Sequence, residues 1–350
     1  MDTFYDFMDY LNKNRDRIKK DMKMDSQSKT YNFYKDLFNK NYFPFNPYEI
    51  NKIDVAATDS SEFTRTLYSG KNIIIIRGYT AYNNEIVRDF KADILPVNPN
   101  DLRNFTILLM ENSEHRSIIN LLDNYSPEYI FVDGSLKGRL FHENKPVNIE
   151  NYETFMDEYF KNLKTMIKKA YEKNVKLIFI AKSDYSDSFR KYLLSLADIE
   201  ILNSDVIEHE KKYYSNDHYL IKSFAEHRGY TQPLMYKKNV YGTDVNYVTF
   251  DVLPDLNDLP MKIDVLSREF LMEDLNKRDS MQYDIDKSII NLIFYGYNSY
   301  RVYNLWLVNV DKQVKFRSKE MENVYMKAFE RATGIPFYET RGERRVRLRV

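Results

Sequence analysis

Hydrophobic and polar positions change period several times along this chain, and each change marks a predicted element. Phe4, Phe7, Met8 and Leu11 recur at helical spacing, as do positions from Phe33 to Phe38, so the first fifty residues read as a helical extension closed by Pro44 and Pro47. From Ile53 the pattern turns extended. Strands are expected over Ile53–Asp59 and Glu62–Tyr68, then, after a Ser69-Gly70 turn, from Asn72 through Ile76 toward Tyr79. Connections this short imply a three-strand antiparallel meander.

Helical spacing returns from about Glu111 to Leu122, followed by the apolar run Tyr129–Val132 ending in Asp133, a long helix over about Tyr152–Glu172, and the strand Val175–Ala181 ending at Lys182. A strand, helix, strand succession in one sheet implies parallel pairing through a right-handed crossover. The expected fold is therefore α/β, a ribonuclease H-like mixed sheet in which a meander feeds parallel strands. Further strands are predicted near Val245–Leu253 and Met261–Leu266, and helices near Ile285–Phe294, Arg301–Val308 and Ser318–Ala332. The domain reading is an N-terminal extension over 1–50 and one domain over 51–350, with a poorly patterned insertion around 203–280.

Two strand ends carry the candidate chemistry. Val55-Ala56-Ala57-Thr58 leads into Asp59-Ser60-Ser61, and Tyr129–Val132 leads into Asp133-Gly134-Ser135. In the predicted topology these strands are neighbours, so Asp59 and Asp133 sit side by side while the first helix offers a third carboxylate, Glu114, with Glu111 one turn earlier as its rival. Converging carboxylates raise one another's pKa, which makes a hard divalent cation their natural occupant, with Mg²⁺ or Mn²⁺ suited to phosphodiester hydrolysis. Each residue has a plainer reading: Asp133 capping a turn, Glu114 solvated on its helix, Lys182 as surface charge. His209, His218 and His227 read as ordinary surface histidines.

Composition narrows the function classes. The 350 residues hold 52 basic and 52 acidic side chains, so there is no global positive field of the kind that coats DNA nonspecifically. A local one is predicted at the end, where Arg345, Arg347 and Arg349 alternate with apolar residues, as a DNA or partner contact or as the charge on a solvated edge strand. Cysteine is absent, which excludes thiolate sites and cysteine nucleophiles. No run approaches the roughly 18 apolar residues of a membrane span, and the acidic, aromatic start is unlike a signal peptide, so a soluble cytoplasmic protein is expected. The 30 tyrosines serve packing or stacking on unpaired bases.

Thr58-Asp59-Ser60-Ser61, Glu114 on a helix, Phe131-Val132-Asp133-Gly134-Ser135-Leu136 and Ile178-Phe179-Ile180-Ala181-Lys182-Ser183 occur in the order and spacing of the NurA nuclease family, and the chain resembles a divergent member over about residues 50–190, with a weaker match near Tyr295–Asn304. The resemblance implies a manganese-dependent nuclease acting on single-stranded DNA as a 5′ to 3′ exonuclease and endonuclease. It further implies a homodimer paired with a HerA-type hexameric ATPase in DNA end resection and repair, mostly in archaea. On that pattern Asp59, Glu114 and Asp133 are the metal ligands, and Lys182 holds substrate phosphate or the attacking water. Two departures stand out. The family's first Asp-Gly-Ser is Asp-Ser-Ser here, and the region of its C-terminal tyrosine and histidine is occupied by Tyr295, Gly296, Tyr297 and then Tyr303-Asn304, with Tyr297 and Asn304 taken as the counterparts and no histidine after His227. Loss of that histidine keeps open an alternative, a catalytically weak subunit that guides DNA to the translocase; action on RNA or junctions is a third reading.

Overall fold

The computed structural model describes residues 2–22, 27, 29–144, 147–182, 185–199, 216–268 and 281–338. Helices α1 (Asp2–Lys13), α2 (Arg15–Met22) and α3 (Lys29–Asn41) lead into β1 (Tyr42–Pro44), which joins the edge of the main sheet. The meander follows as β2 (Val55–Thr66), β3 (Asn72–Tyr82) and β4 (Glu85–Leu95), then α4 (Pro99–Asn124), β5 (Tyr129–Asp133), α5 (Leu136–Leu140), α6 (Phe155–Glu172) and β6 (Lys176–Ala181). Beyond α7 (Ser188–Ile199) come β7 (Gly229–Thr231), β8 (Leu234–Val240), β9 (Thr243–Leu253), β10 (Met261–Ser267) and β11 (Met281–Gln282). The principal strand order is β1-β7-β9-β10-β6-β5-β2-β3-β4, with β8 and β11 attached through β9. Among the described residues only β2–β5 and β5–β6 are parallel; the sheet is mixed, as expected.

The expected meander exists, but its strands are cut differently. Ile53–Asp59 and Glu62–Tyr68 are not two strands joined at the serines; they form one 12-residue strand paired to β3 along its length, from Ala56↔Tyr82 to Thr66↔Asn72. Polar Ser60 and Ser61 stay in the strand because their hydroxyls find partners on Glu114 and on the Phe316 amide. The third strand is β4. Its sequence hides it, since the side facing α4 bears Asp89 and Asp93, bonded to Ser113, Arg116 and Tyr152, while Phe90 and Ile94 point to solvent. The segment read as an insertion supplies β7 to β10 of the same sheet.

Two apolar layers enclose the sheet. On one face Ile74, Ile130 and Val132 pack with Ile118, Leu121 and Leu122 of α4 and Leu163 of α6. On the other, Ala57, Phe131, Ile178 and Ile180 pack with Ile290 and Ile293 of the helix Lys287–Gly296 and with Leu307 and Val310 of the helix Leu305–Val314. Strand alternation assigns each residue to one layer or the other, which decides where the candidate carboxylates point.

Candidate active site

The parallel pairing of β2 and β5 brings Thr58 opposite Val132, so Asp59 and Asp133 are the next residues of adjacent strands. Both are odd-numbered like Ala57 and Phe131, and both therefore face the layer made by the two C-terminal helices. Asp59 is not at a strand tip, as the sequence suggested; it lies mid-strand in β2, at the level where the shorter β5 ends. Past Asp133 the chain turns through Gly134, whose φ of 93° favours glycine.

Cations and hydroxyls meet these carboxylates from the same face. Lys182 Nζ lies 3.2 Å from Asp133 Oδ2, and the Tyr303 hydroxyl donates to Asp133 Oδ1 at 3.3 Å. Lys182 also sits over the Tyr303 ring, 4.3 Å from its centre. Burial, then the negative charges of Asp133 and Glu114, push the Asp59 carboxyl up to about 8. Burial and the charges of Asp133 and Asp59 hold the Tyr303 phenol far above its ordinary value, so it remains a donor.

Glu114 approaches from the opposite face. Gly78, paired with Ser60 in β3, permits α4 to lie directly on the sheet: a Cβ on Gly78 would meet Ser113 Oγ at 2.6 Å and its backbone at 2.9 Å. One turn on, Ser117, Thr58 and Thr80 share their hydroxyls and fix α4 to β2 and β3. Glu114 is thereby set beside Ser60, whose Oγ donates to Oε1 at 2.5 Å. Its other oxygen is bound by Arg139, which is buried and also donates to the Asp133 carbonyl at 2.9 Å. Burial pushes the Glu114 carboxyl up to about 7 even with that guanidinium beside it.

Glu111, the rival, is occupied elsewhere. It accepts from the Tyr159 hydroxyl at 2.5 Å and from His142 Nε2 at 3.1 Å. The structure thus draws Asp59, Asp133 and Lys182 together on one face, with Glu114 in electrostatic reach from the other. Among the described residues, no three Asp, Glu or His side chains are gathered as they stand into a metal cage. The donor chemistry nevertheless suits a hard divalent cation: the oxygens on offer are carboxylates, and burial beside other negative charge disfavours the ionised form of Asp59 unless a cation compensates it.

Two expected residues take other roles. Tyr297 is not at the carboxylates; its hydroxyl donates to Asp258 Oδ2 at 2.9 Å, and Tyr303 takes the place expected of it. Asn304 is not free to bind metal, because its Oδ1 accepts from the amides of Trp306 and Leu307 and caps the helix Leu305–Val314. Sequence reasoning also missed Arg139, whose only signal was a basic residue six positions after Asp133. The backbone accommodates Ser60 without strain, since its φ is not positive, and its hydroxyl is used by Glu114. Arg345, Arg347, Arg349 and His209 lie outside the described residues. A cavity of about 700 Å³ lined by Phe160, Lys164 and Tyr241 lies on the α6 flank, away from this chemistry.

Comparison with known proteins gives a family match and several similar solved structures. The NurA domain profile matches residues 53–316. The crystal structure of the NurA nuclease from Sulfolobus solfataricus superposes with a TM-score of 0.60 at 17% identity, covering 97% of this chain and 100% of that one. A crystal structure of NurA with manganese gives 0.50 at 12% identity, covering 90% of this chain and 97% of that one. A search of curated proteins found no match. The similarity to the Sulfolobus structure establishes the fold, and the profile, spanning most of the sequence, establishes kinship: this chain belongs to the NurA family.

Proposed function

We infer that the chain is a metal-dependent DNA nuclease that hydrolyses phosphodiester bonds of single-stranded DNA. The observation that carries this reading is the adjacency of Asp59 and Asp133 across β2 and β5, with burial and mutual repulsion raising Asp59 to about 8. Asp59 and Asp133 would hold Mn²⁺ or Mg²⁺, with Glu114 as third carboxylate; the ion would supply Lewis-acid stabilisation of charge at the scissile phosphate. Lys182, half-exposed beside Asp133, offers an ammonium to a non-bridging phosphate oxygen. Tyr303 keeps Asp133 oriented through its hydroxyl. Arg139 fixes Glu114 and the backbone at Asp133 to one guanidinium, so the two sheet faces stay in register.

Family membership supports the finer parts of the proposal: 5′ to 3′ exonuclease and endonuclease action, a homodimer, a HerA-type hexameric ATPase as partner in end resection and repair, and a cytoplasmic setting. No helix among the described residues is long and apolar enough to cross a membrane. The alternative, a weakly catalytic subunit guiding DNA on the translocase, is favoured by two observations: Glu114 is committed to Arg139, and Asn304, the residue matched by resemblance to the family's histidine, is used as a helix cap. Incubation with 5′- and 3′-labelled single-stranded DNA in Mn²⁺, Mg²⁺ or chelator decides between them. Metal-dependent cleavage lost in Asp59→Asn and Asp133→Asn supports the nuclease; no cleavage under any condition, with DNA or translocase binding retained, supports the guiding subunit.

A further inference from the structure

Six residues before Leu305 the chain makes a tight turn that the carboxylate chemistry does not use. Val302 N donates to Ser299 O at 2.8 Å and Asn298 N to Val302 O at 2.9 Å, which closes a two-residue turn with Tyr300 and Arg301 at its tip. Both ends of this loop are anchored. Before the turn, Tyr297 is tied to Asp258, and Gly296 lies so close to Trp306 that a Cβ would meet its ring at 2.7 Å. After it, Tyr303 bonds Asp133, and Asn304 caps the next helix.

The tip is built differently from its anchors. The Tyr300 side chain is 68% exposed, although a tyrosine ring ordinarily gains by burial. Arg301 holds that ring: its Nε donates to the Tyr300 hydroxyl at 2.8 Å and its guanidinium lies 5.4 Å from the ring centre. Among the described residues no carboxylate forms an ion pair with Arg301, so its charge is left to solvent or to a ligand. Tyr300 and Tyr303 are three positions apart, so their Cα atoms are at most about 10 Å apart. The anchored turn thus presents an aromatic ring and a guanidinium, three and two positions before Tyr303, whose hydroxyl reaches Asp133.

We propose that Tyr300 and Arg301 form a nucleotide-binding subsite, in which the Tyr300 ring stacks on an unpaired base near the scissile bond and Arg301 contacts the adjoining phosphate. The inference rests on the nuclease reading and deepens it: a stacking surface accepts a base only when that base is unpaired, so the subsite selects single strands without reading sequence.

Equilibrium binding of labelled single-stranded oligonucleotides in chelator, where no cleavage intervenes, tests it. Tyr300→Ala is expected to weaken binding about tenfold or more, the range set by loss of one base–aromatic stack, while Tyr300→Phe stays near wild type. Arg301→Ala is expected to lower the salt dependence by about one phosphate contact, a slope change of roughly 0.7. Moving a single abasic site along the oligonucleotide should reveal one position where wild-type affinity falls by a similar factor and the Tyr300→Ala protein shows no further loss. Equal affinity of Tyr300→Ala and wild type, or a loss identical for intact and abasic strands at every position, overturns the subsite and leaves the nuclease reading standing. A wild-type protein that binds no single strand overturns both.

Discussion

Glu114 and Arg139 form an ion pair sealed from solvent, with side chains only 6% and 2% exposed. Arg139→Ala would leave the Glu114 charge buried without its partner, so a loss of about 3–5 kcal/mol is expected. Denaturant unfolding measures it. The double variant Arg139→Met/Glu114→Gln should recover a large part of that stability, because no unpaired charge remains.

Asp59 gives metal-free stability a defined pH dependence. Its carboxyl is raised from 3.8 to about 8, so the folded state binds the proton more tightly than the unfolded chain. The stability tied to that proton is present at low pH and is lost as pH rises from about 4 through about 8. Thermal melts in chelator should fall across this window, less steeply in Asp59→Asn. Equal slopes in the two proteins would contradict the assignment.

Tyr303 and Tyr297 separate by substitution. Tyr303→Phe removes the hydroxyl from Asp133 while keeping the ring beneath Lys182, and nuclease activity is expected to fall about 10-fold or more, as when a ligand's hydrogen-bond partner is lost. Tyr297→Phe removes only the part-buried bond to Asp258, away from the carboxylates, and should leave activity within a factor of about two of wild type, on the scale of a single hydrogen bond. Initial rates on a common substrate compare them.

Asn304→Ala should act through stability, with a loss of about 0.5–2 kcal/mol for the removed helix cap. Asn304→Asp, which keeps an acceptor oxygen, should retain most of it. A large change in Mn²⁺ affinity at unchanged stability would instead show direct participation in the metal site.

Gly78→Ala tests how α4 reaches the sheet. The added methyl group meets Ser113, including its backbone, below 3.0 Å, so α4 must shift and carry Glu114 from Ser60. Overpacking of this kind costs about 1–3 kcal/mol. Activity should fall together with the melting temperature.

By itself the sequence determined what short-range periodicity can encode. The runs ending in Asp133 and Lys182, the intervening helix and the parallel neighbourhood of Asp59 and Asp133 were legible because buried parallel strands are continuous apolar segments with polar ends. Tertiary structure alone decided the rest. β2 runs through its serines because β3 pairs it throughout and Glu114 accepts from Ser60, and β4 was hidden because its polar residues are the ones facing α4. The faces from which Asp59, Asp133 and Glu114 arrive, the capture of Glu114 by Arg139 and the exchange of Tyr297 for Tyr303 depend on contacts between residues far apart in sequence. A local pattern records which positions prefer burial; it does not record which distant side chain supplies the partner that burial then requires.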